Sequence, residues 1–157
     1  MKKILMLVLI CSSLNIFAAT DAKQVTKLKT IFPNATSYTD SSVVNNKAYI
    51  ACYDSANKVI GYFVSLQVKG VSDNIKFDLG IDKNGKVVKI ANIDIGHNKG
   101  KYNKQVLDTQ WQNKMIGRDK SYSYNSKIDA TAGASVSPRV ITDAVKSALV
   151  DFDKVGK

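Results

Sequence analysis

The sequence predicts an α+β domain in which helices pack on one face of an antiparallel β-meander. Three observations support this prediction. The length of 157 residues suits a single domain. The middle of the chain contains four runs rich in β-branched and aromatic residues, separated by turn signals. The C-terminal segment places apolar residues at helical spacing, so it forms a helix that follows the sheet.

Residues 1–18 have the layout of a secretory signal peptide. Two lysines follow Met1, residues 4–10 form an unbroken apolar run, and a small residue, Ala18, ends the segment. We therefore expect cleavage after Ala18, a single domain over residues 19–157, and a periplasmic or otherwise extracytoplasmic location for the secreted protein. Retention of the segment as an N-terminal anchor remains the alternative.

The predicted domain begins with a helix and continues as a sheet. Residues 22–32 carry apolar side chains at helical spacing, and Pro33 ends the run. Residues 36–47 are polar and are predicted to form a loop or a weak strand. Asn84-Gly85 is the strongest local hairpin signal in the chain. Four strands are predicted, over residues 48–53, 59–68, 75–81 and 87–95.

Two further helices are predicted in the C-terminal half. Residues 104–116 place apolar side chains on one face, and Gly117 ends that run. In the last element Ser137 is expected to be the N-cap, with Pro138 at the first helical position. Apolar side chains recur along the rest of this helix, at Val140, Ile141, Ala144, Val145, Ala148, Leu149 and Phe152.

Charge and composition narrow the classes of function. The formal net charge is +10, and every acidic residue is Asp. The lysines are scattered and only two arginines are present, so we expect a solvated basic surface and no nucleic-acid partner. With a single His, no Glu and one Cys after processing, we expect no structural metal.

A cluster of small residues precedes the last helix. The segment Ile128 to Arg139 reads IDATAGASVSPR and places one hydroxyl, Ser135, among Ala and Gly. Small neighbours let a bulky group approach the backbone, and the following helix presents unpaired N–H groups. Arg139 in the first turn is unfavourable there unless an anion is near. These residues indicate a phosphate or carboxylate beside Ser135, although an ordinary capped helix is an alternative.

This segment resembles the flavinylation motif of FMN-binding domains. That family includes the flavin subunits of the sodium-pumping NADH:quinone oxidoreductase and of the Rnf complex, and small exported flavoproteins. Asp129 matches the Asp of the motif, and Gly133-Ala134 match its Gly-Ala. Ser135 takes the place of the acceptor Thr, and Ala132 stands where the family usually has Ser or Thr.

The resemblance extends over nearly all of the chain after the signal peptide. Each outer piece is weakly specific, and their order together with the motif carries the resemblance. The similar segments are KLKTIFPNA (27–35), KVIGY (58–62), FDLGIDKNGKVV (77–88), GHN (96–98) and QWQNKMIG (110–117).

The resemblance implies FMN held by a covalent phosphoester to the Ser135 hydroxyl. It also implies a separate exported, Mg²⁺-dependent flavin transferase that matures the protein from FAD. Asp129, Gly133 and Ala134 would be read by the transferase or would shape the loop. The remaining expected cofactor-binding residues are Thr131, a hydrogen-bond partner of the phosphate, and His97, which would touch the flavin ring or assist a proton step.

The expected function is electron transfer with a membrane or periplasmic redox protein. The sequence shows no catalytic substrate pocket, so we expect an electron-transfer flavoprotein or a reductase subunit and not a stand-alone enzyme. The alternative is a non-catalytic binding or scaffold module of the same fold, with non-covalent flavin or none. A serine hydrolase is disfavoured because the segment from Gly133 to Ser137 lacks the final Gly of a nucleophile elbow.

Overall fold

The computed structural model describes residues 22–39, 41–98, 100–130 and 136–155. The expected signal peptide and residues 131–135 of the motif lie outside the described residues. The helices are α1 (Ala22–Ile31), a 3-10 helix (Asn103–Leu107), α2 (Thr109–Asn113), α3 (Ser126–Asp129) and α4 (Val136–Phe152). The strands are β1 (Ser37–Tyr38), β2 (Ser42–Val44), β3 (Lys47–Tyr53), β4 (Val59–Lys69), β5 (Asn74–Ile81) and β6 (Val87–Asp94).

The strands form an antiparallel meander in the order β1-β3-β4-β5-β6, with β2 paired to the other half of β3. The predicted α+β class and the four long strands are confirmed. The two short strands, β1 and β2, lie in the polar segment that was predicted as a loop or a weak strand. The β4–β5 hairpin is the longest ladder and pairs Tyr62 with Ile81 at one end and Lys69 with Asn74 at the other.

Helices cover both faces of the sheet, so the prediction that they pack on one face is wrong in this respect. Phe63 packs with Leu28 and Ile31 of α1, whereas its neighbour Val64 packs in the cluster that contains α4. Consecutive strand residues point to opposite faces, so α1 and α4 lie on opposite sides. The sheet is apolar on both faces, and sequence periodicity does not show which helix covers which face.

Helix α4 is confirmed, but it begins earlier than predicted. Its buried face includes Ile141, Val145 and Leu149. Because the helix starts at Val136, Ser137 is the second helical residue and Pro138 the third, so Ser137 is not the N-cap. Pro138 is still tolerated because the first four N–H groups of a helix have no intrahelical partner.

The predicted helix over residues 104–116 is interrupted at Asp108. This residue has extended backbone angles, and its side chain accepts a hydrogen bond from the Gln110 N–H at 2.8 Å. Asp108 thus caps α2 and separates it from the 3-10 helix. The helix also ends earlier than predicted, because α2 stops at Asn113. Turns follow it up to Gly117, which adopts a φ of 79° that favours glycine. Within the described ranges, no helix has both the length and the apolar character needed to cross a membrane.

Candidate functional site

One end of the sheet, which we call the loop end, carries the β4–β5 turn (70–73) and the loop after β6 (95–98 and 100–102). A third segment, the first turn of α4, is linked to this end. Strand pairing brings the first two together, because Lys76 near the start of β5 pairs with Asp94 at the end of β6. The third joins them through Asn103, whose side-chain oxygen accepts a hydrogen bond from the Ser137 N–H at 3.3 Å.

Asn98 ties the turn to the loop. Its side chain is buried, and its oxygen accepts a hydrogen bond from the Ser72 N–H at 2.8 Å. Its amide nitrogen donates to the carbonyl oxygens of Asp73 and Ile95, both at 2.9 Å. A Cβ at Gly70 would lie 2.6 Å from this amide nitrogen, so the close approach requires glycine. The sequence offered no signal for this clamp beyond the resemblance of the Gly-His-Asn segment to a family loop.

His97 lies on the surface of the loop end. Its side chain is 84% exposed, and Nδ1 lies 2.9 Å from Oδ2 of Asp73. The hydrogen bond from His97 holds the pKa of the Asp73 carboxyl below its usual range. A Cβ at Gly96 would lie 2.5 Å from the same carboxylate oxygen, and φ there is 51°. The loop is therefore shaped around an exposed histidine that a ligand or partner can reach.

Asp129 is almost completely buried and belongs to a different network from His97. Its Oδ2 accepts hydrogen bonds from the Asn125 N–H at 2.6 Å and from the Tyr122 hydroxyl. Its Oδ1 lies 3.0 Å from Nη2 of Arg118. Across the described ranges, no residue bonds to both Asp129 and His97, so the structure places these two predicted site residues in separate networks.

Ser137 is a candidate that the sequence assigned to another role. Ser137 is fully buried, and its hydroxyl has no hydrogen-bond partner among the described residues. A buried hydroxyl without a partner costs roughly 1–3 kcal/mol. The hydroxyl lies in the first turn of α4, where N–H groups and the positive end of the helix dipole favour an anion. This combination fits an anionic group such as a phosphate.

The first turn of α4 also carries a positive charge, the guanidinium of Arg139. Arg139 is exposed, and its Nε lies 4.0 Å from Oδ2 of Asp143, one helical turn later. This arginine therefore has a local acidic neighbour, so its position in the first turn does not by itself require an external anion. The orphaned hydroxyl of Ser137 is the stronger indication.

Two aromatic side chains, Trp111 and Tyr102, differ in whether a flavin ring could stack on them. Trp111 is buried, and its indole N–H donates to the Asp129 carbonyl oxygen at 2.6 Å, so it is a core residue. Tyr102 is half exposed at the loop end, and the Lys101 ammonium lies 5.9 Å from its ring centroid. Only Tyr102 is accessible to a ring from outside.

Four predicted cofactor-binding residues, Thr131, Gly133, Ala134 and Ser135, lie outside the described residues. The structure fixes both flanks of that segment. Ala130 is buried on one side, and Val136 opens α4 on the other.

The family model of the FMN-binding domain matches residues 70–150 of this chain. The match begins at the β4–β5 turn and covers the loop end, Asp129, the small-residue segment and most of α4. The chain therefore belongs to the FMN-binding domain family, and the cofactor that the domain binds is FMN. No curated protein matches the chain.

Proposed function

We propose that this chain is an exported flavoprotein that carries FMN as a phosphoester on the Ser135 hydroxyl and transfers electrons between membrane or extracytoplasmic redox partners. The observation that carries the proposal is the buried, unpartnered hydroxyl of Ser137 in the first turn of α4, two residues after Ser135. A phosphate at this position accepts a hydrogen bond from that hydroxyl and from the first N–H groups of the helix.

Attachment is a transfer of the FMN group and involves no oxidation or reduction. The Ser135 oxygen forms a bond to the phosphorus of the FMN half of FAD, the pyrophosphate bond breaks, AMP leaves, and the serine proton is lost to a base. A separate Mg²⁺-dependent flavin transferase supplies the active site for this step. Thr131, Gly133 and Ala134 belong to the same segment as Ser135, residues 131–135, which we call the attachment loop. They are the further residues that we propose as holding the phosphate.

Bound FMN supplies one- and two-electron redox chemistry, and the chain supplies position and charge. His97 presents an exposed imidazole at the loop end, where it is available to the flavin ring or to a proton step. Lys101 and Lys104 are exposed in and beside the same loop and favour an acidic redox partner. A covalent tether suits export through the signal peptide over residues 1–18, since a tethered cofactor is not lost by dilution.

Intact mass tests the attachment. The full chain is produced in bacteria with and without the flavin transferase, and the processed protein is weighed under denaturing conditions. We expect the mass of one FMN phosphoester and yellow fluorescence only when the transferase is present. Ser135→Ala removes both, whereas Ser55→Ala, which changes an exposed serine in the β3–β4 turn, removes neither.

Two outcomes contradict the proposal. Flavin that is released on denaturation supports the alternative of a binding module with non-covalent FMN. Covalent flavin that persists in Ser135→Ala shows that another hydroxyl is the acceptor.

A further inference from the structure

Helix α3 leads into the attachment loop, and side chains from α2 and from the turns after it hold α3 in place. Trp111 lies in α2, Lys114 and Arg118 lie in the turns after it, and all three side chains reach α3. Trp111 donates to the Asp129 carbonyl oxygen at 2.6 Å, and the Lys114 ammonium donates to the Ile128 carbonyl oxygen at 3.0 Å. The main chain at the end of α3 is therefore fixed by side chains from a separate element.

The Asp129 carboxylate is enclosed by the same group of residues. Arg118 lies 3.0 Å from Oδ1, and its guanidinium lies over the Tyr122 ring at 3.4 Å from the centroid. The Tyr122 hydroxyl donates to Oδ2, as does the Asn125 N–H. The side chains of Arg118 and Asp129 are 12% and 1% exposed, so the ion pair is closed to a large partner.

This cluster is also attached to the sheet. The Gly117 N–H donates to the Val87 carbonyl oxygen at 2.8 Å, and the Val87 N–H donates to the Arg118 carbonyl oxygen at 2.9 Å. Arg118 thus connects β6 to Asp129, the last residue of α3, which lies two positions before the attachment loop. At the other end of that loop, the Ser137 N–H is bonded to Asn103 at 3.3 Å. Both ends of the segment that contains Ser135 are therefore anchored.

We propose that Arg118 and Tyr122 are positioning residues for attachment of FMN, an inference that rests on the proposed function. They hold the buried Asp129 so that the chain leaves α3 in one direction and presents the Ser135 hydroxyl to the transferase. Asp129 acts from inside the fold, and the transferase does not contact its carboxylate. Of the two roles that the resemblance left open for Asp129, the buried geometry favours shaping the loop.

Steady-state kinetics of attachment separate positioning from recognition. Purified chain is incubated with purified transferase, FAD and Mg²⁺, and the initial rate of mass gain is measured over a range of chain concentrations. The variants are Arg118→Met, Tyr122→Phe, Asp129→Asn and the double variant Arg118→Met/Asp129→Asn. Tyr124→Phe is the matched control, because it removes a nearby tyrosine hydroxyl that makes no hydrogen bond to Asp129. Circular dichroism confirms that each variant is folded.

We expect Arg118→Met and Asp129→Asn to lower kcat about tenfold or more, with KM changed less than about twofold, because a misdirected acceptor reacts slowly after it binds. The double variant is expected to be no slower than the slower single variant, since the two residues act as one unit. Tyr122→Phe keeps every charge and is expected to lower kcat by about threefold to fivefold. It therefore keeps the proposal testable if Arg118→Met does not fold. Arg118→Lys is expected to recover part of the loss.

Wild-type kinetics for Arg118→Met and Tyr122→Phe, with slow attachment only in Asp129→Asn, would overturn the inference and show that the transferase reads the carboxylate. A rise in KM at constant kcat overturns it as well. Failure of the proposed function has a different signature, in which the wild-type chain gains no mass or Ser135→Ala gains as much as the wild type.

Discussion

At the scale of single residues, the proposed site gives the hydroxyl of Ser137 opposite effects on stability in the flavin-free and the flavin-loaded protein. Without flavin it is buried and unpartnered among the described residues, which destabilises the fold. With a phosphate beside it, the same hydroxyl gains a charge-assisted hydrogen bond. A residue that costs stability in the unmodified protein is expected where a ligand later supplies the missing partner.

We therefore predict a change of sign for Ser137→Ala. In the unmodified protein the substitution raises the free energy of unfolding by about 1 kcal/mol, because it removes an unsatisfied group. In the FMN-loaded protein it lowers that free energy by a similar amount. Urea denaturation of both forms measures the difference. The same effect in both forms would show that the phosphate does not lie beside Ser137.

Cys52 is the second residue whose behaviour follows from burial. Cys52 lies in β3, and its side chain is buried in the cluster that packs against α1. Burial raises the pKa of the thiol to about 12. Since the thiolate is the reactive form, we predict that a thiol-alkylating reagent at pH 8 labels the processed native protein very slowly. Mass spectrometry should show one label per chain only after denaturation. Rapid labelling of the native protein would mean that α1 opens readily.

At the scale of elements, α1 fits against the sheet because Gly61 has no side chain. A Cβ there would lie 2.5 Å from Phe32 and 2.7 Å from the Ile81 carbonyl oxygen, and the second atom belongs to the β5 backbone. We predict that Gly61→Ala lowers the free energy of unfolding by about 2–3 kcal/mol through overpacking. Gly100→Ala is the control, since its nearest neighbour would lie 3.4 Å away. Equal effects of the two substitutions would contradict this account.

The C-terminal part of α4 is attached to the β2–β3 hairpin through Asp151. Asp151 accepts hydrogen bonds from Lys47 and Asn45, both at 2.6 Å. Burial alone raises the pKa of this carboxyl, but the bonds from Lys47 and Asn45 together outweigh burial and leave the pKa lowered. The folded protein thus keeps Asp151 ionised at pH values where the unfolded chain already binds a proton, so acid removes this stabilisation.

A pH series tests this attachment. We predict that Asp151→Asn is less stable than the wild type at neutral pH, and that the difference shrinks as the pH falls below about 4, the usual pKa of an Asp side chain. Urea denaturation at several pH values measures the difference. A destabilisation that stays constant down to acid pH would show that the charge of Asp151 contributes nothing.

At the scale of the whole molecule, local patterns predicted the elements, and long-range contacts decided how they meet. The hairpin at Asn84-Gly85 and the apolar face of α4 are local, and both are confirmed. The Asn98 clamp and the pairing of Arg118 with Asp129 join residues far apart in sequence, so periodicity gave no signal for them. Apolar spacing predicted one continuous helix over residues 104–116, because it takes no account of Asp108 as a capping residue.

The family resemblance predicted the part of the site that physical patterns left open. Small residues before a helix indicated an anion, and the alternative of an ordinary cap stood beside it. The family match over residues 70–150 shows that the domain binds FMN. That the FMN phosphate lies at the small-residue segment is our proposal. The structure then adds what neither pattern nor resemblance contained, which is that Asp129 is enclosed by Arg118 and Tyr122.

Covalent attachment predicts how the stability of the whole chain depends on flavin. FMN bound in trans stabilises a fold only in proportion to its free concentration, whereas tethered FMN is present at a fixed effective concentration. We predict that the FMN-loaded chain has a higher Tm than Ser135→Ala, and that dilution or added FMN does not change it. Added FMN should raise the Tm of Ser135→Ala steadily with concentration. A loaded chain that melts with Ser135→Ala in buffer alone would place the flavin outside the fold, because a seated cofactor must stabilise the state that binds it.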